Sequence, residues 1–291
     1  MNAPPPAWRP ACSIEALGAR AAMLRTIRDF FFERGVIEVQ SACLGAHTVT
    51  DPAVDSLAVP GIGYLQTSPE YQLKRLLAAG APSLYQLGPV FRGGEAGRLH
   101  NPEFTMLEWY RLGYTDAELM AEVAELIDSV LGAADYERLS YERVVALGGG
   151  AESGAERAEL DLAFADGIAA LAGRRVFVVD YPADQAILAR LRPGRPNVAA
   201  RFELCVDGVE LANGYWELGD RAAIERRFAE DLAARRQAGS ELPEPDGAFL
   251  DAMDAGLPEC AGVALGVDRL LMIKLGAGSL AEVMAFPADR A

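Results

Sequence analysis

A short loop in the first third of the chain concentrates side chains that suit an anionic ligand. Residues 92–101 carry, around three glycines, the side chains Arg92, Glu95, Arg98, His100 and Asn101. An arginine at the end of a buried strand offers a permanent charge and a planar fork of donors, which suits a phosphate or a carboxylate. A solvated hairpin tip explains the same composition, so both interpretations stay open from the residues alone.

A second group of candidate residues lies further along the chain. Asp207-Gly208 between two alternating apolar segments predicts a two-residue β-hairpin, in which Glu210 lies opposite Cys205. Glu203 lies two residues before Cys205, so the two glutamates face the same side as diagonal neighbours. Two carboxylates on an otherwise apolar face predict a cation between them, and Mg²⁺ commonly takes one or two carboxylates together with phosphate oxygens. An edge strand with solvated acids is the alternative.

A third candidate site lies at the junction of a strand and a helix. Tyr64–Thr67 has the composition of a strand, and the next two residues are typical of a helix start, with Ser68 as the cap and Pro69 at the first helical position. Glu70 then falls in the first turn, where a carboxylate is favoured and points into the junction. Simple helix capping is the alternative explanation.

A glycine-punctuated strand near the C-terminus indicates close approach to a ligand. Gly262–Gly266 leads into a predicted helix from Val267 to about Leu275, with Arg269 in its first turn. Small residues let a backbone approach a ligand closely. By itself this pattern is weak evidence for a site.

Strands and helices must position these side chains. The segments Tyr85–Arg92 and Glu103–Arg111 are rich in aromatic and branched residues and predict a hairpin that carries the loop 92–101 at its tip. Apolar residues at helical spacing predict a helix from a cap at Ser13 to about Arg34. The anion-binding loop should therefore sit on a stiff, largely buried support.

Length and composition favour one soluble domain. Within 291 residues, we expect a proline-rich tail at 1–12 and one domain at 13–291, with a helical insertion at about 148–175. No apolar run approaches the roughly 18 residues of a membrane span, and the N-terminus lacks the apolar core of a signal peptide, so we expect a cytoplasmic protein. The net charge of −15 argues against tight nucleic-acid binding and would favour a basic protein partner.

The cysteines do not indicate a metal site. Cys12, Cys43, Cys205 and Cys260 are widely spaced, and the chain has only two histidines. This composition argues against structural zinc and predicts reduced, mostly buried thiols.

Two long motifs resemble those of a known enzyme family. Phe91-Arg92, His100–Phe104 and Leu107–Tyr110 resemble the second signature motif of class II aminoacyl-tRNA synthetases of the lysyl type, and Gly262–Leu270, about 170 residues downstream, resembles the third. The segment Arg28–Leu44 resembles the first, a dimerisation motif, although Ser41-Ala42 replaces a usual Thr-Pro pair. The resemblance implies an α+β fold, the class II catalytic domain, with an antiparallel sheet flanked by helices.

The same resemblance implies roles for individual residues. Contacts to ATP are implied for Arg92, Gly93, Gly94, His100, Asn101, Phe104, Glu210, Leu211, Gly266 and Arg269. Contacts to the amino acid are implied for Ser68, Pro69, Glu70, Tyr110, Glu217 and Ala264, with Tyr110 and Glu217 at the distal ammonium. Metal binding is implied for Glu203 and Glu210. One departure stands out, because the family's Arg-x-Glu is Arg92-Gly93-Gly94 here, with Glu95 one place later.

A further resemblance concerns the reaction. The chain begins almost at the catalytic domain, so we expect no OB-fold anticodon domain, and it resembles free-standing lysyl paralogues that use ATP and Mg²⁺ to activate (R)-β-lysine and transfer it to a lysine of translation elongation factor P. The resemblance implies a homodimer, no tRNA charging and no membrane association. A stand-alone amino-acid activator with a small or other protein acceptor and a non-catalytic binding module are the alternatives.

Ala264 bears on substrate choice. Lysyl-tRNA synthetases usually have glycine at the matching place, and a strand that passes under a substrate has little spare room. We hypothesise that the added methyl group disfavours α-lysine and favours β-lysine, whereas a neutral exchange of small residues is the alternative.

Overall fold

The computed structural model describes residues 8–150 and 156–291. The predicted tail at 1–12 and the predicted insertion at 148–175 therefore lie partly outside the described residues.

Helices and strands alternate irregularly along the chain. The α-helices are α1 Ile14–Glu33, α2 Glu70–Ala78, α3 Asp116–Leu131, α4 Tyr141–Leu147, α5 Arg157–Ala169, α6 Arg221–Ala238, α7 Gly247–Gly256 and α8 Val267–Leu275. The strands are β1 Ile37–Glu38, β2 Leu44–Gly45, β3 Ala58–Val59, β4 Gly63–Leu65, β5 Leu84–Phe91, β6 Glu103–Leu112, β7 Glu137–Ser140, β8 Arg175–Pro182, β9 Leu191–Arg192, β10 Arg195–Val206, β11 Val209–Trp216 and β12 Cys260–Gly266.

One large sheet organises the fold. Its strand order is β1-β5-β6-β12-β11-β10-β8-β7, with β9 paired to β10, while β2, β4 and β3 form a small separate sheet. Every pairing from β5 to β8 along this order is antiparallel, whereas β1 pairs with β5 and β7 with β8 in parallel. The predicted α+β fold is confirmed, and the sheet is antiparallel at its centre and mixed at its edges.

Two hairpins carry most of the predicted site residues. In the first, β5 and β6 pair from Leu84 opposite Tyr110 to Phe91 opposite Glu103. In the second, Asp207 and Gly208 form the turn with φ angles of 52° and 72°, which two-residue hairpin turns require. Both hairpins lie where the sequence predicted them.

The second hairpin also has the predicted register near its turn. Cys205 pairs with Glu210, but Leu204 pairs with Ala212, so Leu211 is the extra residue of a β-bulge. The bulge shifts the pairing register of β11 by one residue beyond Glu210.

The main core packs against one face of the large sheet. Phe31 of α1 stacks on Tyr85 at 4.4 Å between ring centres and meets the edge of Trp109 at 5.4 Å. Trp109 also donates from Nε1 to the buried carboxylate of Glu122 on α3 at 3.1 Å. Because side chains alternate along a strand, the neighbours of Trp109 on β6 face the other way.

Helix starts follow local chemistry, with one correction. The Ser13 hydroxyl accepts from the Ala16 N–H at 3.1 Å and caps α1, as predicted. The prediction that Ser68 caps α2 is wrong, because Pro69 is the N-cap, no side chain caps this helix, and Glu70 is its first residue. Ser68 lies on the wall of a cavity instead.

The described cysteines are free thiols, of which Cys43 is exposed and the other three are buried, which confirms the prediction. No helix among the described residues is long and apolar enough to cross a bilayer.

A buried carboxylate ties three elements together. Asp268 at the start of α8 forms an ion pair with Arg20 of α1 at 2.5 Å and accepts from the Thr105 N–H of β6 at 2.6 Å. Arg20 also donates to the Thr105 hydroxyl at 2.6 Å. The aspartate thus holds the second-motif strand against the third-motif helix.

Asp268→Asn should lower the free energy of unfolding by about 2–4 kcal/mol, because it leaves Arg20 without its buried partner. Urea denaturation measures this change. The matched control is Asp29→Asn, which breaks the exposed Arg25–Asp29 pair and should cost less than about 0.5 kcal/mol. Equal costs for the two variants would contradict the assignment of Asp268.

Candidate active site

A cavity of about 820 Å³ opens over the centre of the large sheet. Strands β6, β11 and β12 supply one wall, and the start of α2, the loop 49–54 and α6 supply others. Most predicted site residues line this cavity: Ser68, Glu70, Arg92, His100, Asn101, Phe104, Tyr110, Glu210, Leu211, Glu217, Ala264, Gly266 and Arg269. Pro69, Gly93, Gly94 and Glu203 are not among its lining residues.

One end of the cavity is cationic and aromatic. The Arg92 guanidinium carbon lies 5.3 Å from the ring centre of Phe104, and its Nε donates to the Thr67 carbonyl at 3.4 Å. Glu95 lies on the same wall with an oxygen 3.8 Å from Arg92 Nη1. The one-residue displacement of the motif's glutamate therefore still places a carboxylate beside Arg92.

The two glycines between Arg92 and Glu95 shape the loop. The Gly93 N–H donates to the Asp55 carbonyl at 2.7 Å, and Gly94 has a φ of +69°, which favours glycine. A Cβ on Gly93 would lie 3.3 Å from the Asp55 Cβ. These glycines thus pack the loop against its neighbour, and they are not among the residues that line the cavity. Their predicted contact with ATP stays a prediction.

A second arginine closes this end. Arg269, in the first turn of α8, donates to the carbonyls of Leu99 at 3.2 Å and Glu210 at 2.9 Å. Its Nη2 lies 2.8 Å from His100 Nε2. Burial, and then the Arg269 charge, lower the pKa of His100, so the neutral ring accepts from Arg269 at neutral pH.

Asn101 lines the cavity, but its amide is engaged by the backbone. Its Nδ2 donates to the Glu103 carbonyl at 2.5 Å, and its Oδ1 accepts from the Ala288 N–H at 2.9 Å. The side chain therefore joins the loop to the C-terminal segment.

Glu203 and Glu210 face the same side of their hairpin, as predicted. Burial and the Glu210 carboxylate raise the pKa of Glu203 to about 7. The face is not otherwise apolar, however, because Arg201 Nη2 donates to Glu203 at 2.5 Å. The prediction that the rest of this face is apolar was therefore wrong. Strand periodicity could have corrected it, since Arg201 lies two residues before Glu203 and so on the same face.

Glu203 and Glu210 supply some, but not all, of the oxygen ligands that a magnesium ion needs. The Glu210 carboxylate is partly exposed in the cavity, with Oε2 3.7 Å from Arg269 Nη1, whereas Glu203 shares its oxygens with Arg201. Within the described ranges, no three His, Cys, Asp or Glu side chains converge as metal ligands. A divalent ion here would need oxygens from phosphate to complete its shell.

The other end of the cavity is acidic. Glu70, Glu108 and Glu217 converge there with the ammonium of Lys74, which lies 2.6 Å from Glu70 Oε1 and 2.5 Å from Glu217 Oε2. The Tyr110 hydroxyl donates to Glu108 Oε1 at 2.7 Å. Glu70, Tyr110 and Glu217 are thus brought together as the resemblance implied.

The sequence analysis did not identify Glu108 and Lys74 as site residues, although each has a sequence feature that could have indicated it. Glu108 is a carboxylate between Leu107 and Trp109 within a strand of apolar residues, and Lys74 lies one helical turn after Glu70. Their partners, however, come from distant parts of the chain.

Burial dominates the electrostatics of this acidic end. It raises the pKa of Glu108 to about 8, with the Glu70 carboxylate as the next cause, and it raises the pKa of Glu217 to about 7. Burial lowers the pKa of Lys74, but Glu217 and Glu70 outweigh it and hold the ammonium charged. Three carboxyl groups therefore face one internal cation. The raised pKa keeps Glu108 mostly protonated at neutral pH in the ligand-free protein, and a further cation would favour its charged form.

Strand β12 forms the floor between these groups. Ala264 pairs with Glu108 on β6 and with Asn213 on β11, and Gly262 pairs with Tyr110. A Cβ on Gly262 would overlap both the Tyr110 ring and the Glu217 carboxylate. Close packing therefore requires glycine at position 262.

Helix α5 reaches the same cavity. Arg157 and Asp161 line it and pair with each other at 2.8 Å. No chemistry was predicted for this part of the chain, because nothing in its sequence shows that it packs near the sheet.

Comparison with known proteins agrees with the geometry. The family model for class II tRNA synthetases (D, K and N) matches residues 8–290, and the chain therefore belongs to this family of ATP-dependent ligases. It is similar to the elongation factor P–(R)-β-lysine ligases of Vibrio cholerae and an Enterobacter species, at 42% and 43% identity over 98% of this chain and 98% of each relative. The corresponding ligase of Vibrio vulnificus is 41% identical over 96% of this chain and 98% of its own length. The resemblance found in the motifs is confirmed.

Glu108→Gln should change the free energy of unfolding least at about pH 5, and should stabilise the ligand-free protein increasingly as pH rises to about 8, by about 1–3 kcal/mol. The raised pKa means that the folded chain keeps a proton which the unfolded chain releases, so the parent protein loses stability as pH rises towards about 8. The amide removes this titration and still accepts from Tyr110.

Chemical denaturation at several pH values measures the effect. Glu103→Gln is the control, because this exposed glutamate lies on the same strand. A pH-independent difference between Glu108→Gln and the parent protein would contradict the assignment.

Proposed function

We propose that this chain activates (R)-β-lysine as an adenylate with ATP and transfers it to a lysine side chain of translation elongation factor P. The observation that carries the proposal is the cluster of the buried Glu108 and Glu217 with the half-buried Glu70, which has one internal ammonium and faces the arginine end of the same cavity. The names and near full-length identity of the relatives support the same reaction.

Charge decides the substrate class. A diamino acid brings two ammonium groups, and Lys74 supplies a third positive charge, so the three carboxylates would each have a cation. The substrate carboxylate would point to Arg92, whose planar fork matches it. With a monoamino acid, one buried carboxyl group would have to stay protonated and without a cation, so the site favours a diamino acid.

Activation would begin with attack of the substrate carboxylate on the α-phosphorus of ATP. The oxygen–phosphorus bond forms as the bond to pyrophosphate breaks, and Arg92 would neutralise the charge on the α-phosphate. Phe104 would stack under the adenine, and Arg269 would meet the γ-phosphate. Catalysis in this step would rest on positioning and charge neutralisation.

Transfer would follow when a neutral lysine amine of the acceptor attacks the adenylate carbonyl. A carbon–nitrogen bond forms, the carbon–oxygen bond to AMP breaks, and the acceptor nitrogen loses a proton. Mixing the protein with elongation factor P, ATP and β-lysine should add one β-lysyl group to the factor, which mass spectrometry detects.

The same experiment separates the alternatives. We expect no comparable charging of lysine tRNA, because a net charge of −15 opposes binding to a phosphate backbone. Charging at a rate similar to protein transfer would overturn the proposal. Adenylate formation without transfer to the factor would favour another acceptor.

Magnesium fits the proposal as the ion that neutralises ATP phosphates. Glu210, with Glu203 behind it, would hold the ion. Glu210→Gln should abolish amino-acid-dependent pyrophosphate exchange at any magnesium concentration. Glu225→Gln on the exposed surface of α6 is the control, and exchange near the parent rate in both variants would refute the metal assignment.

We also propose a cytoplasmic homodimer built through the first-motif segment. Phe32 on α1 is 84% exposed, Ile37 is 44% exposed, and Ile37 lies on the edge strand β1. Such apolar exposure on a sheet edge favours association with a second copy. In this proposal residues 13–291 form one catalytic unit. A stable monomer in sedimentation at micromolar concentration would count against the dimer.

Ala264→Gly should reduce the preference for β-lysine over α-lysine by roughly 10- to 200-fold, the discrimination that one methyl group provides in a packed pocket. The reason is the position of Ala264 beside Glu108 on the cavity floor. Pyrophosphate exchange with each amino acid measures the ratio, and an unchanged KM for ATP serves as the internal control. An unchanged preference would refute the role of Ala264.

A further inference from the structure

Lys74 is a buried lysine that does not itself line the cavity. Its side chain is fully shielded from solvent, and it lies behind Glu70 and Glu217, which do line the cavity. Lysine is almost never fully buried without a charged partner. Its position therefore concerns the two carboxylates in front of it.

Lysine is rare in this chain, so its use at a buried position is notable. Of 27 Lys and Arg residues, only Lys74 and Lys274 are lysines. Arginine is planar and larger, whereas the lysine ammonium is a compact charge with three donors that can point in different directions. A compact cation at 2.5 and 2.6 Å from two carboxylates fits the ammonium of lysine.

Lys74 bridges two carboxylates that come from different elements. Glu70 begins α2, and Glu217 follows the end of β11, where its N–H donates to the Cys260 carbonyl and its own carbonyl accepts from Arg190. The backbone of Glu217 is thus held by the sheet, and the Lys74 ammonium ties α2 to it. The separation of the two carboxylates follows from this bridge.

The bridge leaves bonding capacity towards the cavity. The Lys74 ammonium lies 2.5 Å from Glu217 Oε2 and is the ion-pair partner of this carboxylate. A carboxylate can accept several hydrogen bonds, so an incoming ammonium group could share Glu217 with Lys74.

We propose that Lys74 is a specificity-determining positioning residue, whose ammonium sets the spacing of Glu70 and Glu217 and holds both carboxylates in place for the ammonium groups of the substrate. This inference rests on the proposed function and deepens it, because it names the residue that arranges the pocket for a diamino acid. Without Lys74, the bridge between α2 and β11 would be lost.

Proton uptake is the expected response of the pocket to loss of this charge. The Lys74 ammonium acts to lower the pKa of Glu217, which burial raises to about 7, so its removal should move that pKa further upward. Glu217 would then stay protonated, and unable to pair with an ammonium, up to a higher pH. The other charged and titratable groups that act on this region are Glu70, Glu108, Tyr110, Tyr71, Tyr215, Cys260, Glu259 and Arg190.

The test compares Lys74→Gln, which keeps donors but loses the charge, with Lys74→Arg, which keeps the charge. Pyrophosphate exchange is measured from about pH 6 to about pH 9, across the range in which the buried glutamates titrate. Lys74→Gln should raise the KM for β-lysine by about 10- to 100-fold, the effect of losing a bond to a charged group, while kcat and the KM for ATP change little. In the pH profile of the exchange rate, the acid limb of Lys74→Gln should shift to higher pH. The acid limb of Lys74→Arg should stay at that of the parent protein.

Lys274→Gln is the matched control, because this exposed lysine donates only to the Val130 carbonyl far from the cavity. A folded Lys74→Gln protein with the parent KM and acid limb would overturn the proposal. The proposal would also be overturned if Lys74→Arg folds and Lys74→Gln does not, since the positive charge would then serve stability alone.

Failure of the proposed function is distinguishable from failure of this inference. A parent protein that shows no exchange with β-lysine contradicts the function. The role of Lys74 is then read from thermal shifts with α-lysine and β-lysine in the parent protein and in Lys74→Gln. Stabilisation that is equal in both proteins, or absent from both, overturns the inference, and stabilisation lost only in the variant supports it.

Discussion

The site depends on removing carboxyl groups from water on one face of a sheet with one internal cation beside them. Burial raises the pKa of Glu108 and Glu217, and the ammonium of Lys74 offsets only part of the cost of burying them. Without a ligand, the charged forms of these groups are therefore disfavoured. Ammonium groups of a substrate would stabilise the charged forms, so the desolvation that disfavours them in the free protein also favours a cationic substrate.

Strand alternation makes this arrangement possible. On β6, Leu107 and Trp109 pack into the main core, while Glu108 and Tyr110 face the cavity. The same strand thus stabilises the fold with one face and binds charge with the other. Asp268 then ties β6 to α1 and α8, so the two signature motifs are held together.

The cavity is polarised along its length. Arg92 and Arg269 supply positive charge at one end, and the glutamate cluster supplies negative charge at the other. A substrate with ammonium groups and a carboxylate, placed beside an anionic nucleotide, would find each charge opposite its counterpart. Reversed binding would bring like charges together in a site of low dielectric, which is strongly unfavourable.

Local chemistry in the sequence was sufficient for several elements. The Asp207-Gly208 turn, the Ser13 cap and the β5–β6 hairpin each depend on neighbouring residues, because φ preferences and strand periodicity act over a few positions. Motif strings also indicated the family and most cavity residues. The prediction for Ser68 failed although it also rested on local chemistry. A serine before a helix can cap that helix or line a cavity, and the sequence does not distinguish the two.

Tertiary structure alone decided how the charges are paired. Glu108 meets Tyr110 along its own strand, but Lys74 reaches Glu217 only because α2 packs beside the end of β11. Helix α5 likewise reaches the cavity from a segment without a motif. The physical reason is that burial and Coulomb interactions depend on distance in space, and sequence spacing determines that distance only within a helix turn or a hairpin.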